Sequence, residues 1–315
     1  QGIWLLPTDG GEAHRLVAVS TGIADLDWSP DGRHIAFTSE VDPRCGADDA
    51  CNKKYQTWRE KGPLKAHVAT ELLYRHWTSW PDGTVTHVLV TEVATGKVRH
   101  LTPGDREAPV FGLGGGNVAW SPDGKELAYT RNPDPRETLA SSTNSDIWIV
   151  PVDPAADGST EPARNITAAN LAWDGTPRYS PDGRYIAYRR QLTPGYESDI
   201  FRLVVHDRKS RETRVLTEGF DNWVTDLAWT HDSSAIVFKA DEKGRTPLYR
   251  VKLAGGAPEK VAESAELDEF VLAKDGRYAY ALRRSVAIPQ EIWRLDLTSA
   301  TKPFRITAHN KPLAD

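Results

Sequence analysis

Cys45 and Cys51, in the segment RCGADDAC, are the only cysteines of the chain and the residues whose chemistry is most open to reading. In a loop with Gly and Asp they could close a small disulfide ring, remain free thiols, or ligate a metal. A zinc site takes four ligands, and no further pair lies nearby at a suitable spacing. The disulfide is the leading expectation, and it would imply a periplasmic or secreted protein. The nine histidines are dispersed, and only His76, beside Trp77 in YRHWTSW, sits in a motif-like setting. Gly-x-Ser-x-Gly, His-Glu-x-x-His, Walker and dinucleotide fingerprints are all absent from the sequence. Gly112 to Gly116 is glycine-rich but precedes a strand pattern, so a connector fits better than a phosphate loop. Asn165-Ile166-Thr167 matches the glycosylation pattern but falls at a strand end. No cofactor and no metal are expected.

The elements that must carry these residues follow from a repeat. Ser-Pro-Asp-Gly recurs at Ser29–Gly32, Ser121–Gly124 and Ser180–Gly183, each time after an aromatic residue and before a short apolar strand. Decayed copies follow at WTHDSSAIVFKAD from Trp229 and LAKDGRYAYALRR from Leu272. Ser or Asp first, Pro second and Gly last is the signature of a type I turn. A third strand (SDIWIVPV, SDIFRLVV, TPLYRVKL, QEIWRLDL) and a fourth ending in Leu-Thr or Ile-Thr complete each unit. A period of roughly 40–50 residues with four strands per unit predicts an all-β propeller. Five complete blades are expected, centred on Asp31, Asp123, Asp182, Asp232 and Asp275, with half a blade before them. The turn aspartates are expected to be structural. The chain opens without Met, in the second half of a repeat, and reads as a fragment of something longer.

Composition restricts the partners. Net charge is −5 with basic and acidic residues interspersed, which gives no footing for nucleic acid or an anionic membrane. No apolar run approaches the ~18 residues of a transmembrane helix.

One segment interrupts the repeat. From about Val41 to Pro81 the first full blade carries an insertion between its second and third strands. Leu64, Val68, Ala69, Leu72 and Leu73 have helical spacing and predict a helix of about 15 residues there. The insertion is expected either to pack on the blade edge or to form a rim or lid, since long insertions of repeat proteins map to one face.

These parts together resemble the N-terminal propeller of the prolyl oligopeptidase family of serine peptidases, in its dipeptidyl-peptidase V and acylaminoacyl-peptidase branch. The resemblance runs through TELLYRHWTSW (Thr70–Trp80), RNPDPRETLASSTNSDIWIV (Arg131–Val150) and PRYSPDGRYIAYRRQLTPGYESDIF (Pro177–Phe201). It implies seven blades in the parent and a propeller that caps an α/β-hydrolase domain following residue 315. The Ser, Asp and His of that domain would lie downstream, so the chain by itself is expected to be catalytically inert.

The family logic also implies a substrate filter and carboxylates that hold a free α-amino group, releasing dipeptides from short peptides. Charge-assisted hydrogen bonds are roughly twice as strong as neutral ones, which suits an ammonium anchor. Glu71 and Glu197 are the carboxylates the resemblance offers, and Tyr74, Arg75, His76 and Trp77 the pocket wall. Arg75 could hold a substrate carbonyl or carboxylate. The expected partners are a peptide and the chain's own hydrolase domain, and the resemblance allows a homodimer of the full-length protein. The alternative is a non-catalytic TolB-like propeller that mediates protein interaction; a propeller glycosidase would need converging carboxylates that the turns do not offer.

Overall fold

A computed structural model describes the chain except for residues 67, 71, 76, 77, 79, 111–117, 155–161, 264–265, 300 and 311–315. The glycine run at 112–116 therefore lies outside the described residues. The chain divides into two compact units, Gln1–Trp173 and Asp174–Asp315.

The first unit opens with a two-stranded sheet, β1 (Gly2–Leu5) and β2 (His14–Ala18). A four-stranded antiparallel blade follows: β3 (Ala24–Trp28), β4 (His34–Val41), β5 (Val85–Glu92) and β6 (Val98–His100). The next blade is β7 (Val118–Trp120), β8 (Glu126–Arg131), β9 (Asp146–Pro151) and β10 (Arg164–Asn165). The second unit holds three more. They are β11 (Asp174–Tyr179) to β14 (Thr213–Val215) through β12 (Tyr185–Arg190) and β13 (Arg202–Asp207); β15 (Val224–Trp229), β16 (Ala235–Ala240), β17 (Leu248–Lys252) and β18 (Glu259–Ala262); and β19 (Glu266–Leu272), β20 (Tyr278–Arg284), β21 (Glu291–Asp296) and β22 (Phe304–Arg305). Five four-stranded blades and a half blade make this an all-β propeller fold, as the repeat predicts.

The repeat residues are absorbed by the fold. Ser29 Oγ donates to Asp31 Oδ1 at 2.7 Å and accepts from the His34 amide at 2.9 Å, while Asp31 also accepts from the Arg33 amide at 3.0 Å. These bonds, the Ser29 hydroxyl first, hold the Asp31 carboxyl far below the usual carboxylate range. Ser180 and Asp182 repeat the arrangement, as do Thr230 and Asp232. In the fourth blade Ser233 stands where the others have Gly and adopts a φ of 59°, the left-handed region that Gly reaches at no steric cost.

The aromatic before the turn has its own task. Trp120 Nε1 donates to the Asp27 carbonyl of the preceding blade, and Trp229 Nε1 to the Arg178 carbonyl. The Leu-Thr or Ile-Thr ending the fourth strand caps the third: Thr102, Thr167, Thr217 and Thr307 each accept a third-strand amide through Oγ1 at 2.9 Å. Apolar residues fill the space between successive sheets, as where Val237 and Leu248 pack on Phe270, Ala279 and Leu295.

The insertion departs from the sequence expectation. Its helix, α1, is Asp49–Lys61, and the described residues of 64–75 form no helix. Leu64, Val68, Leu72 and Leu73 are all exposed, so their helical spacing has no face to bury. Helix α1 is held by polar anchors instead. The Asp48 side chain accepts from the Cys51 amide at 3.0 Å, the N-cap bond. The side chain of Asn52, 3% exposed, accepts from the Asp42 amide and donates to the carbonyls of Gly46 and Asp48. Gly62 and Pro63 end the helix.

Cys45 and Cys51 are joined in a disulfide that ties the loop before α1 to its first turn. Closing so short a loop contributes about 2 kcal/mol by the chain-entropy relation. Reduction, or Cys45→Ser with Cys51→Ser, is expected to raise hydrogen exchange of the α1 amides while strand amides of the second unit stay unchanged. Equal protection of α1 in both forms would show that Asn52 and Asp48 suffice. No helix of the described residues is long and apolar enough to cross a membrane.

Candidate functional site

In the second unit, the connection between β12 and β13 carries the GYESD segment. Two tight turns build it. The Tyr196 amide donates to the Thr193 carbonyl at 3.2 Å, with Pro194 and Gly195 (φ +76°) in the central positions, a type II pattern. The Asp199 amide then donates to the Tyr196 carbonyl at 3.1 Å, which leaves Glu197 and Ser198 at the tip of the second turn.

Two side chains brace these turns from beneath. Gln191, 1% exposed, donates through Nε2 to the carbonyls of Glu197 at 2.9 Å and Asp199 at 2.7 Å. The Asp199 carboxylate accepts from the amides of Leu192 at 2.7 Å, Thr193 at 2.9 Å and Ile200 at 2.8 Å. Partial burial opposes its charge, yet those three amides, with Arg202, bring its pKa below the ordinary value. Glu197 itself is exposed, and its carboxylate makes no hydrogen bond or ion pair among the described residues. Beside it Tyr196 is 55% exposed.

The base of the loop is anchored twice. Arg190 Nε lies 2.8 Å from Oδ1 of the fully buried Asp174, and its Nη2 donates to the Tyr188 hydroxyl at 2.9 Å. Phe201 meets Trp223 edge-on with ring centroids 5.1 Å apart, and its carbonyl accepts from the Val224 amide at 3.0 Å. The loop is thus fastened to the entrance of the next inner strand.

In the first unit, Tyr74 pairs with Trp80 at 6.0 Å between ring centroids, and Arg75 is exposed. Glu71, His76 and Trp77 lie outside the described residues. The insertion does organise a second group of residues that sequence reasoning missed. Asp42, 2% exposed, is held by the Arg44 guanidinium through contacts of 2.6 and 2.8 Å, which keep its carboxyl below the usual range. Arg44 lies over the Tyr55 ring at 3.9 Å. Arg59 stands between Asp42 at 3.6 Å and Asp82 at 3.5 Å. Tyr55, Trp58 and Arg59 share one face of α1 by their spacing in CNKKYQTWREK, a signal available in the sequence once the helix is placed there.

Beneath the disulfide loop sits a histidine pair. His100 Nε2 is 2.7 Å from Nδ1 of the fully buried His87, whose Nε2 faces the Arg106 carbonyl at 3.0 Å. A carbonyl can only accept, so His87 carries its proton on Nε2 and accepts from His100 at Nδ1. Burial first, then His100 and Arg131, push the His87 pKa down to about 4. Among the described residues no group of three or more His, Cys, Asp or Glu could hold a metal ion. The Asn165 amide is used within its blade, donating to Asp146 at 2.6 Å.

Comparison with known proteins supports the resemblance read in the sequence. The chain is 27% identical over 300 residues to dipeptidyl-peptidase 5 of Porphyromonas gingivalis, a match that covers 93% of this chain and 41% of that protein. It therefore spans about two-fifths of the relative's length. Among solved structures it is similar to the acylaminoacyl peptidase of Pyrococcus horikoshii (TM-score 0.65, 13% identity, 99% of this chain and 42% of that one). It is also similar to a putative TolB from Agrobacterium tumefaciens (TM-score 0.56, 15% identity, 93% and 83% covered). At those identities the two structures speak for the propeller fold alone. No family model matches the chain.

Proposed function

We propose that this chain is the substrate-recognising propeller of a serine peptidase of the prolyl oligopeptidase type, one that releases dipeptides from short peptides. The observation that carries the reading is Glu197, a carboxylate unpaired among the described residues at the tip of a loop braced by Gln191 and Asp199. The match to a dipeptidyl-peptidase along 93% of the chain supports a peptide as the substrate. A peptide's free α-ammonium would meet Glu197, and fixing that end sets how many residues reach a nucleophile. Glu71 is proposed as the second carboxylate and Arg75 as a holder of substrate carbonyls. The disulfide supports a periplasmic or secreted location. The coding sequence beyond Asp315 is expected to carry a nucleophile elbow of the form Gly-x-Ser-x-Gly.

A charge-assisted hydrogen bond contributes about 1.5–3 kcal/mol, or roughly ten- to a hundredfold in affinity. Isothermal titration of this chain with tripeptides bearing a free or an acetylated amino terminus measures that preference directly. Glu197→Gln is expected to remove most of it while leaving the acetylated peptide unaffected. Unchanged discrimination in that variant would take Glu197 out of the anchoring role. In the full-length enzyme, Glu197→Gln and Glu71→Gln should raise KM for free dipeptidyl substrates far more than for blocked ones.

A further inference from the structure

The insertion holds a cavity of about 340 Å³ between the start of the inserted segment, one face of α1 and the turn at Asp82 and Gly83. We infer that it binds a neutral apolar side chain of an extended peptide together with the amide beside it. The volume lies at the low end of ligand sites, enough for one large side chain and its flanking peptide group. Pro43, Tyr55 and Trp58 supply apolar walls, and Trp58 is 60% exposed, with indole surface available to stack on a ligand.

The polar groups select what enters. The only polar partners of Arg59 among the described residues are Asp42 and Asp82, at 3.6 and 3.5 Å. Both distances exceed good N–H···O geometry, so the guanidinium retains donors for a ligand. Asp82 is about half exposed and retains acceptor capacity. Burial works against its charge, but Thr84 and Arg59 keep its carboxyl below the ordinary value. A donor and an acceptor side by side match the carbonyl and N–H of a peptide amide.

Charge excludes the other classes of ligand. Arg44 and Arg59 are balanced by Asp42 and Asp82, so an anion would meet the carboxylates and a cation the guanidinium of Arg59. The choice of a peptide over a neutral sugar rests on the proposed function as a peptide-recognising propeller.

Peptides blocked at both ends separate this site from the amine anchor, because they present no ammonium to Glu197. Titration of the chain with acetyl-Ala-Ala-Phe-Ala-Ala-amide is expected to show about five- to tenfold tighter binding than with the all-alanine counterpart, the range of one aromatic contact. Trp58→Ala, at an exposed position, should erase that preference. Asp82→Asn, which keeps the side-chain shape, should weaken both peptides about threefold through loss of a charged acceptor. Equal affinity for the two peptides in the wild-type chain would overturn the inference. So would titration by maltopentaose in place of either peptide, which would mark a sugar site.

Discussion

Arg190→Leu is expected to cost about 1.5–3 kcal/mol, because it removes the guanidinium that is hydrogen-bonded to the buried carboxylate of Asp174. Asp174 opens β11 and is fully buried, and the Arg190 side chain that pairs with it is 15% exposed. The Tyr188 hydroxyl loses the same partner. Arg190 immediately precedes Gln191, so the loss should also loosen the turns that present Glu197. Urea unfolding followed by fluorescence reads the cost, and titration with free tripeptides reads the loosening. Adding Asp174→Leu to Arg190→Leu should recover much of the stability, since a buried pair replaced whole by apolar groups is often near neutral. If the double variant is no more stable than Arg190→Leu alone, the lost pairing of the Asp174 carboxylate is not the source of the loss.

The second large effect is an acid transition to which His87 and, less strongly, its partner His100 contribute. The His87 pKa falls from its ordinary 6.5 to about 4 in the folded chain. Between those values the unfolded chain binds the proton and the folded one does not, so stability falls as pH drops through that window. At 1.36 kcal/mol per pH unit the loss approaches about 3 kcal/mol by pH 4, and His87 adds nothing further below it. The lowered turn carboxylates, such as Asp31, act in the same direction but only below the ordinary Asp value of 3.8. His87→Gln can donate to the Arg106 carbonyl and accept from His100 without titrating. Its unfolding free energy should fall less steeply than that of the wild-type chain between neutral pH and about 4, the remaining slope coming from His100, whose pKa burial also lowers. A slope equal to that of the wild-type chain would assign the transition to other groups.

The parts of the fold that the sequence made legible are those whose physics is local. A Ser-Pro-Asp-Gly turn closes within six residues through its own side chains, so Ser29, Asp31 and the amides they bond all lie in one short string. The Leu-Thr ending is nearly as local, since Thr217 caps Leu203 across a single hairpin. Helix α1 escaped this kind of reading because little of it depends on an apolar face. Only Asn52 among its residues is buried, and its supports are a cap, a disulfide and an asparagine network. The apolar spacing of Leu64 to Leu73 pointed to the wrong segment for the converse reason, since Leu64, Val68, Leu72 and Leu73 are all exposed.

The candidate site divides in the same way. Glu197 could be picked out by its segment, and the turn at Pro194-Gly195 could be read from residue types. The bracing by Gln191 could not, because nothing in its identity says that it sits beneath the turn rather than on it. The cavity was further out of reach, since it joins residues 42–44, 55–59 and 82–83, brought together only when β4 and β5 pair around the whole insertion.

The bracing of the 191–199 loop bears on the kinetics of encounter. Five hydrogen bonds from Gln191 and Asp199 fix the backbone on both sides of Glu197, so the conformational entropy of that tip is lost when the blade folds. A ligand arriving at it has little loop to order, and association is limited by diffusion and orientation rather than by rearrangement. Selectivity for a free amino terminus would then reside in how long a peptide stays, and blocked and free peptides should arrive at nearly the same rate.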